Sequence, residues 1–484
     1  MKHLIFIVAY NHEYFIEKVL DRLPKSLFEE DYEILVIDDA SIDKTFEIAN
    51  KWHKKNDKIK IKILKNNKNY GYGGNQKIGM EYAIKNNFAT LTLLHGDGQY
   101  APEIIHKLIK FHLKQKAALT LGSRMINKKD ALKGKMPLYK FIGNIILTKL
   151  QNLILNTNLS EFHTGYRVYS IPNLRNCKFA LNSNGFHFDT EIIIQHISNN
   201  YKISEYPIPT YYGDEISYVN GINYAFHILK ESFLFKIQNL GIFYTDKYNY
   251  INEQYEDKSY FYSTHSIAIN EVKENSKILD LGSSNAEYLT LLKNNKKCYI
   301  KTVNKLEGLK NPKVDEEEIL DLSLDLPKNI YNFDYIFLLD VIEHIKEPEN
   351  FLSRLYDKLS KKQTLIVSTG NISFIIIRLM LLFGFFNYGN RGILDKTHAR
   401  LFTFRTFRKL FINNFEIVKA KGVPVPFPLA IGNNIFSKIL LFINIFLIKI
   451  SKRVFSYQIL FVLKPKLSLK NILEETIKYS KSIK

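Results

Sequence analysis

Three short runs place acidic and polar side chains where an apolar stretch stops: Ala9-Tyr10-Asn11-His12-Glu13, Asp38-Asp39-Ala40-Ser41-Ile42-Asp43 and His95-Gly96-Asp97-Gly98-Gln99. A strand that ends on a carboxylate can offer it to a base N–H, a ribose hydroxyl or a cation. For Asp39 and Ser41 there is a plainer reading, a cap on the helix that begins near Lys44. In the third run the glycines account for a turn but not for a carboxylate bracketed by His95 and Gln99. The loop Asn69-Tyr70-Gly71-Tyr72-Gly73-Gly74-Asn75 opens a helix and could approach a phosphate at Gly73. Arg124 and Arg167 have the fork geometry that grips phosphate, or a structural carboxylate, through two hydrogen bonds. Asp189 and Glu191 could activate a hydroxyl as general bases, or simply sit in the first turn of a helix. Further on, Asp280 and Gly282 close a second apolar run, and His344 and His398 are base candidates.

The elements that position these residues read as two β-α-β series. Strands LIFIVAY, YEILVID, IKIKIL and TLTLLH alternate with helical stretches such as FIEKVLDRL up to about residue 235. A second, dissimilar series begins at KILDLG and runs through NFDYIFLLD and QTLIVST to YQILFVLKP. Short apolar strands alternating with helices predict an α/β protein with two Rossmann-like, mainly parallel sheets. In open sheets of this kind ligands sit beyond the carboxyl ends of the strands, where these clusters fall. The predicted domains are 1–235 and 261–466, joined by a Tyr- and Asn-rich linker at 236–260 and followed by a basic tail at 467–484.

Seven motifs in order, AYNHE, VIDDASID, NYGYGGNQKIG, HGDGQYAPE, LGSR, HTGYRVYS and FHFDTE, resemble the family 2 glycosyltransferases of GT-A fold, nearest the dolichol-phosphate mannose synthase group. The resemblance implies inverting transfer of a sugar from a nucleotide-sugar donor, with a divalent metal held against the diphosphate. It implies that Asp97 and Gln99 are metal residues, with His95 in place of the usual first Asp. Imidazole suits Mn²⁺ better than Mg²⁺, so either ion is open. Asp39 is then expected on the base or ribose, with Ala9, Tyr10, Glu13 and Asp38 lining the same pocket. Arg124 and Arg167 are expected near an acceptor phosphate, and Asp189 and Glu191 near the acceptor. The acceptor is a polyprenyl phosphate or a glycan hydroxyl.

The second half resembles the class I S-adenosylmethionine-dependent methyltransferases, through KILDLGSSNAEYLTLL, EILDLSLDLP, DVIEH and DKTHARLFTF. The resemblance implies S-adenosylmethionine contacts at Asp280, Gly282, Ser284, Asn304, Asp321 and Asp340. Only one glycine of the usual three remains in the first motif, and Asn304 stands where an acid is usual. A degenerate, non-catalytic binding module is therefore a rival for this half. A membrane-associated scaffold that merely senses nucleotide sugar is a rival for the whole.

Composition narrows the setting. The chain has 484 residues, enough for two to four domains, and 46% are hydrophobic. Two cysteines exclude a disulfide framework and fit a reducing cytosol. The net charge of +20 fits either a Lys- and Asn-rich bias on solvated faces or attraction to an anionic membrane surface or phosphorylated substrates. No basic helix or aromatic-basic repeat suggests nucleic acid. The apolar stretches 375–386 and 439–448 are shorter than the ~20 residues of a spanning helix, and MPLYKFIGNIILTKLQNLIL is a basic amphipathic stretch suited to a membrane surface or to packing in the core. The expected place is the cytoplasm, peripheral to the cytosolic face of a membrane, in cell-surface glycan assembly.

Overall fold

The computed structural model describes residues 2–25, 27, 31–212, 220–239, 241, 244–250, 258–282, 287–305 and 314–466. Two compact units divide the chain, Met1–Lys236 with Thr245–Tyr250, and Ile237–Tyr244 with Ile251–Lys484.

The first unit holds strands β1 (His3–Ala9), β2 (Tyr32–Asp38), β3 (Ile61–Lys65), β4 (Thr90–His95), β5 (Leu119–Ser123), β6 (Arg167–Ser170) and β7 (Ile203–Pro207). They form one sheet in the order β3-β2-β1-β4-β6-β5-β7, with β6 antiparallel to both neighbours. Strand β1 is buried on both faces, which is why it reads as a continuous apolar run. Leu4, Phe6 and Val8 enter one core cluster, while Ile5, Ile7 and Ala9 enter the other. Strand order reverses between β1 and β4. The ladder sets Ala9 beside Asp38 and Val8 beside His95, so the three polar runs end at one level.

The second unit holds β8 (Lys277–Leu281), β9 (Tyr299–Asn304), β10 (Glu316–Ile319), β11 (Tyr335–Leu339), β12 (Thr364–Gly370), β13 (Phe415–Val423) and β14 (Gln458–Pro465). Their order is β10-β9-β8-β11-β12-β14-β13, with β14 antiparallel to β12 and β13. Here the reversal lies between β8 and β11. The expected α/β class holds in both units, with mixed rather than purely parallel sheets.

The 236–260 stretch is not all connection. Tyr248 is buried in the first unit and donates to Glu231 Oε2 at 2.8 Å, while Lys247 pairs with Glu191 and Glu231. Burial of one aromatic ring outweighs the weak local periodicity. Residues 251–257 and the tail 467–484 lie outside the described residues.

Helix Leu138–Leu155 buries Asn144, Thr148 and Gln151 and exposes Leu138, Ile142, Ile146, Leu150 and Leu153. This inverts the usual arrangement of a surface helix. Among the described residues no helix is long and apolar enough to cross a membrane.

Candidate functional site

At the first reversal point, Asp97 and His95 come together. Asp97 Oδ2 lies 4.0 Å from His95 Nδ1, and Asp97 Oδ1 accepts the Gln99 backbone N–H at 3.0 Å. His95 Nε2 is 3.1 Å from the Tyr72 hydroxyl, which donates to Asp189 Oδ2 at 2.9 Å. A carboxylate only accepts, and Tyr72 has one proton, so His95 Nε2 carries the hydrogen that points at Tyr72. The Nδ1 lone pair is left facing Asp97. Burial holds the His95 pKa below its ordinary value, so the ring is neutral at pH 7. Burial, with Asp189 beside it, pushes the Tyr72 hydroxyl well above its own. Gly165 makes room for this ring: a Cβ there would stand 2.3 Å from His95 Nε2.

His12 belongs to the same cluster. Its buried Nδ1 has no hydrogen-bond partner and would lie 3.0 Å from a Cβ at Gly96. Burial lowers its pKa, with Asp97 and His95 close by. Among the described residues no three imidazole, thiolate or carboxylate side chains converge closely enough to hold an ion unaided. The donor set does fit a divalent ion that takes its remaining ligands from a diphosphate: a carboxylate oxygen, the free Nδ1 of His95, and an orphaned imidazole nitrogen nearby.

The other expected residues of this half divide into two groups. Ala9, Tyr10, Glu13, Asp38 and Asp39 lie at the ends of β1 and β2. Asp38 is buried, bonded to Ser41 and 3.6 Å from Lys65; burial raises its pKa. Asp39 does not cap the helix near Lys44, a task done by Asp43 on the Thr45 N–H. Asp39 instead accepts from Tyr70 N–H, Gly71 N–H and Asn66 Nδ2, fixing the loop that enters helix Tyr72–Lys85. Glu13 Oε2 accepts from Lys44 N–H. These groups surround the strand ends, as the sequence suggested.

Gly73, Arg124 and Arg167 do not present free donors to a phosphate. Gly73 is packed against Ser183 and Phe188, and its N–H is taken by the Asn184 carbonyl. Arg124 is buried on Glu161, with further donors to Tyr212 and the His163 carbonyl. Arg167, fully buried, donates to the carbonyls of Thr164, Asp189 and Phe162 and lies 3.5 Å from Asp189 Oδ1. A buried guanidinium must find internal acceptors, and both have. Asp189 also accepts from Gln76. Glu191 accepts from Ser183 N–H and Lys247 Nζ, each at 2.6 Å, while burial raises its pKa.

In the second unit, a cavity of about 990 Å³ opens at the reversal between β8 and β11. Asp280, Gly282, Asp321, Asp340, His344 and His398 all line it. Gly282 has φ +87°, and a Cβ there would meet Val341 at 2.9 Å, so the turn leaves a backbone cradle only glycine can form. Asp280 accepts from Tyr288 at 2.6 Å, and Asp321 pairs with Lys305 at 2.9 Å. Asp340 accepts from Ser368 and Gln458; burial works against its charge, but Lys258 and these bonds keep its pKa below the ordinary value. Burial and then Asp340 push Glu343 up to about 8. The His344 and His398 rings meet edge to face at 4.8 Å. Two expected contacts fall elsewhere. Asn304 does not line the cavity and donates to Glu317 at 3.1 Å. Ser284 lies outside the described residues. Lys258, His265, Tyr457 and Gln458 line the cavity without having been singled out in the sequence. Lys258 and His265 precede the first motif of this half, and Tyr457 and Gln458 open the last strand, YQILFVLKP, whose apolar run drew attention away from its first two residues.

Comparison with known proteins agrees with this division. The family model described as Glycosyl transferase family 2 matches residues 4–176, and one described as Methyltransferase domain matches 255–420. An uncharacterized protein of Methanocaldococcus jannaschii is 32% identical over 224 residues, 46% of this chain and 87% of that protein. The UDP-N-acetylglucosamine–dolichyl-phosphate N-acetylglucosaminyltransferase of Methanococcus voltae is 28% identical over 229 residues, 45% of this chain and 89% of that protein. Among solved structures, glucosyl-3-phosphoglycerate synthase from Mycobacterium tuberculosis, with Mn²⁺, UDP and phosphoglyceric acid, aligns at a TM-score of 0.37 and 11% identity, covering 48% of this chain and 76% of that one.

Proposed function

The chain belongs to glycosyl transferase family 2 through its first unit and carries a methyltransferase domain in its second, and on that premise we propose a bifunctional enzyme of glycan assembly. The first domain, about 1–235, transfers a sugar from a nucleotide-sugar donor to a polyprenyl phosphate. The second, about 261–466, transfers a methyl group from S-adenosylmethionine to a related sugar acceptor. The observation that carries the first reading is the Asp97–His95–Tyr72–Asp189 chain at the strand-order reversal. The name of the Methanococcus voltae relative supports a lipid-phosphate acceptor, which needs little deprotonation at neutral pH.

A divalent ion bound here would be held by Asp97 and His95, with Gln99 beside them, and would offset the charge of the leaving diphosphate. The chain's own residues do the positioning. Tyr72 and Asp189 fix the His95 ring and tautomer, a task that second-layer partners perform for metal-ligating imidazoles. Asp38 and Asp39, at the end of β2, are assigned to the base and ribose, and Asp189 and Glu191 are the groups to test as bases if the acceptor is a hydroxyl. S-adenosylmethionine would be held by Asp280, the Gly282 cradle, Asp321 and Asp340, and it supplies an electrophilic methyl group that needs in-line placement. His344 and His398, both on the cavity wall, are the groups assigned to take a proton from a hydroxyl acceptor.

A second reading keeps the sugar transfer and makes the second domain a binding module only. The turn of Asn304 toward Glu317, away from the cavity, favours it. The test of the main reading is transfer of label from a panel of radiolabelled nucleotide sugars, with Mn²⁺ or Mg²⁺, to polyprenyl phosphate. Chelator-sensitive label in the organic phase, lost in Asp97→Ala with an unchanged melting temperature, is expected. Absence of label with every donor and both ions would move the acceptor to a glycan hydroxyl. S-adenosylmethionine titrated calorimetrically into the chain separates the two readings of the second domain when paired with a methyl-transfer assay. We place the protein in the cytoplasm, peripheral to an anionic membrane; the +20 charge and the exposed apolar side of helix Leu138–Leu155 support this.

A further inference from the structure

Helix Ile435–Ile450 in the second unit is built inside out. Its buried positions are Ser437 and Asn444. Asn444 accepts from the Val425 N–H at 2.9 Å and donates to the Phe455 carbonyl at 3.0 Å, so polar bonds fasten the helix to its unit. Its outward positions are apolar: Phe436, Ile439, Phe442, Ile443, Phe446 and Ile450, with Phe442 72% exposed and Phe446 58% exposed. A second arm packs apolar side chains inward and still leaves apolar ones exposed. Helix Ile375–Leu382 buries Ile377 and Met380, and at its end Leu382 and the capping Phe383 are 75% and 72% exposed.

The charge around these arms has one sign. No Asp or Glu occurs from residue 417 to 466, while Lys438, Lys449, Lys452 and Arg453 are exposed on and just after the long helix. None occurs from 358 to 394 either, and Arg378 is exposed on the short one. Both arms are also bracketed along the chain by walls of the cavity. Leu429 precedes the long helix and Tyr457 follows it; Gly370 precedes the short one and Arg391 follows it.

We propose that these two arms form an interfacial seat for an anionic lipid bilayer, next in the chain to the walls of the second unit's cavity. A large apolar surface rimmed by cations, on a helix too short to span, fits insertion to headgroup depth with the basic side chains on lipid phosphates. The proposal extends the peripheral-membrane reading above to a named face, and it stands or falls independently of sugar transfer.

The test uses the full chain and sedimentation with vesicles of phosphatidylcholine alone or mixed equally with phosphatidylglycerol. The wild type is expected to sediment with the anionic vesicles at least ten times better than with the neutral ones. The double variant Phe442→Glu, Phe446→Glu should lose most of that binding at an unchanged melting temperature, since both side chains are exposed. A direct reading comes from the single native tryptophan, Trp52, which is buried in the first unit. Phe442→Trp adds a second fluorophore on the proposed face. Brominated lipid should quench it strongly and leave wild-type fluorescence nearly unchanged. Emission from the Phe442→Trp variant that brominated lipid leaves unquenched would overturn the proposal, even if the chain still sediments. So would self-association in solution that Phe442→Glu abolishes without any vesicle binding, which would make the occupant a second copy of the chain.

Discussion

Both strand-order reversals gather acidic residues at strand ends, and both bond them internally, but the second also sets them on the wall of an open cavity. In the first unit the charged groups are wired into the frame: Arg167 to Asp189, Arg124 to Glu161, Asp39 to the backbone of Tyr70 and Gly71. In the second, Asp280, Asp321, Asp340 and Glu343 line an open volume. The contrast teaches that a carboxylate at a strand end is not by itself a ligand contact. Where internal donors enclose it, as at Asp39 and Asp189, the frame engages it, and the groups left for a ligand are those with fewer internal bonds, such as His95 Nδ1 and Asp97 Oδ2.

The sharpest break of this comparison is Arg124→Ala. If Arg124 is structural, it strands Glu161 as an unpaired buried charge and costs ~3–5 kcal/mol of stability in denaturant unfolding. A variant that keeps full stability and loses only acceptor affinity would return Arg124 to the phosphate role. Next is Gly282→Val in the second unit, which puts a side chain into the cradle at φ +87°. It is expected to weaken S-adenosylmethionine binding at least a hundredfold by calorimetry, with sugar transfer retained. Tyr72→Phe comes third. It frees His95 to choose its tautomer, and Mn²⁺ affinity measured by electron paramagnetic resonance should fall roughly 10–100-fold, the usual cost of losing an outer-layer partner. No change would make Tyr72 a packing residue.

Glu343 gives the most specific effect. Its folded pKa, about 8, lies above the ordinary 4.5, so the folded state holds a proton that the unfolded chain releases. Stability of the second unit therefore falls as pH rises from about 4.5 to 8, and levels off above that window. Glu343→Gln should flatten this slope in melting temperatures taken at several pH values. An unchanged slope would show that another group supplies it.

Much of the fold was legible because the strands announce themselves. Ile5, Ile7, Ile34 and Val36 are β-branched and buried, and β8 and β11 end on acid motifs. Strand β10 was not legible: EEEI is an edge strand made mostly of glutamates, held by β9 and by Lys301 bonds to Glu316 and Glu318. The candidate residues were legible by type and by position along the chain, and the strand ends did bring most of them together. Their partners were not. Nothing local tells that Arg167 will be enclosed by carbonyls of residues 162, 164 and 189, or that Tyr72 will reach both His95 and Asp189. The sign that Asn304 turns away from the cavity lies in Glu317, on a strand the sequence did not suggest.

The outward apolar sides of helices Leu138–Leu155 and Ile435–Ile450 also govern how the protein behaves in plain buffer. Without lipid, what keeps such surfaces from meeting one another is mutual repulsion between molecules of charge +20. That repulsion reaches ~30 Å at 0.01 M salt and only ~3 Å at 1 M, while apolar attraction is not screened. Dispersion of the protein is thus a colloidal balance set by ionic strength. Light scattering should stay low in dilute salt and climb as salt is added, the reverse of what a protein held together by ion pairs would show.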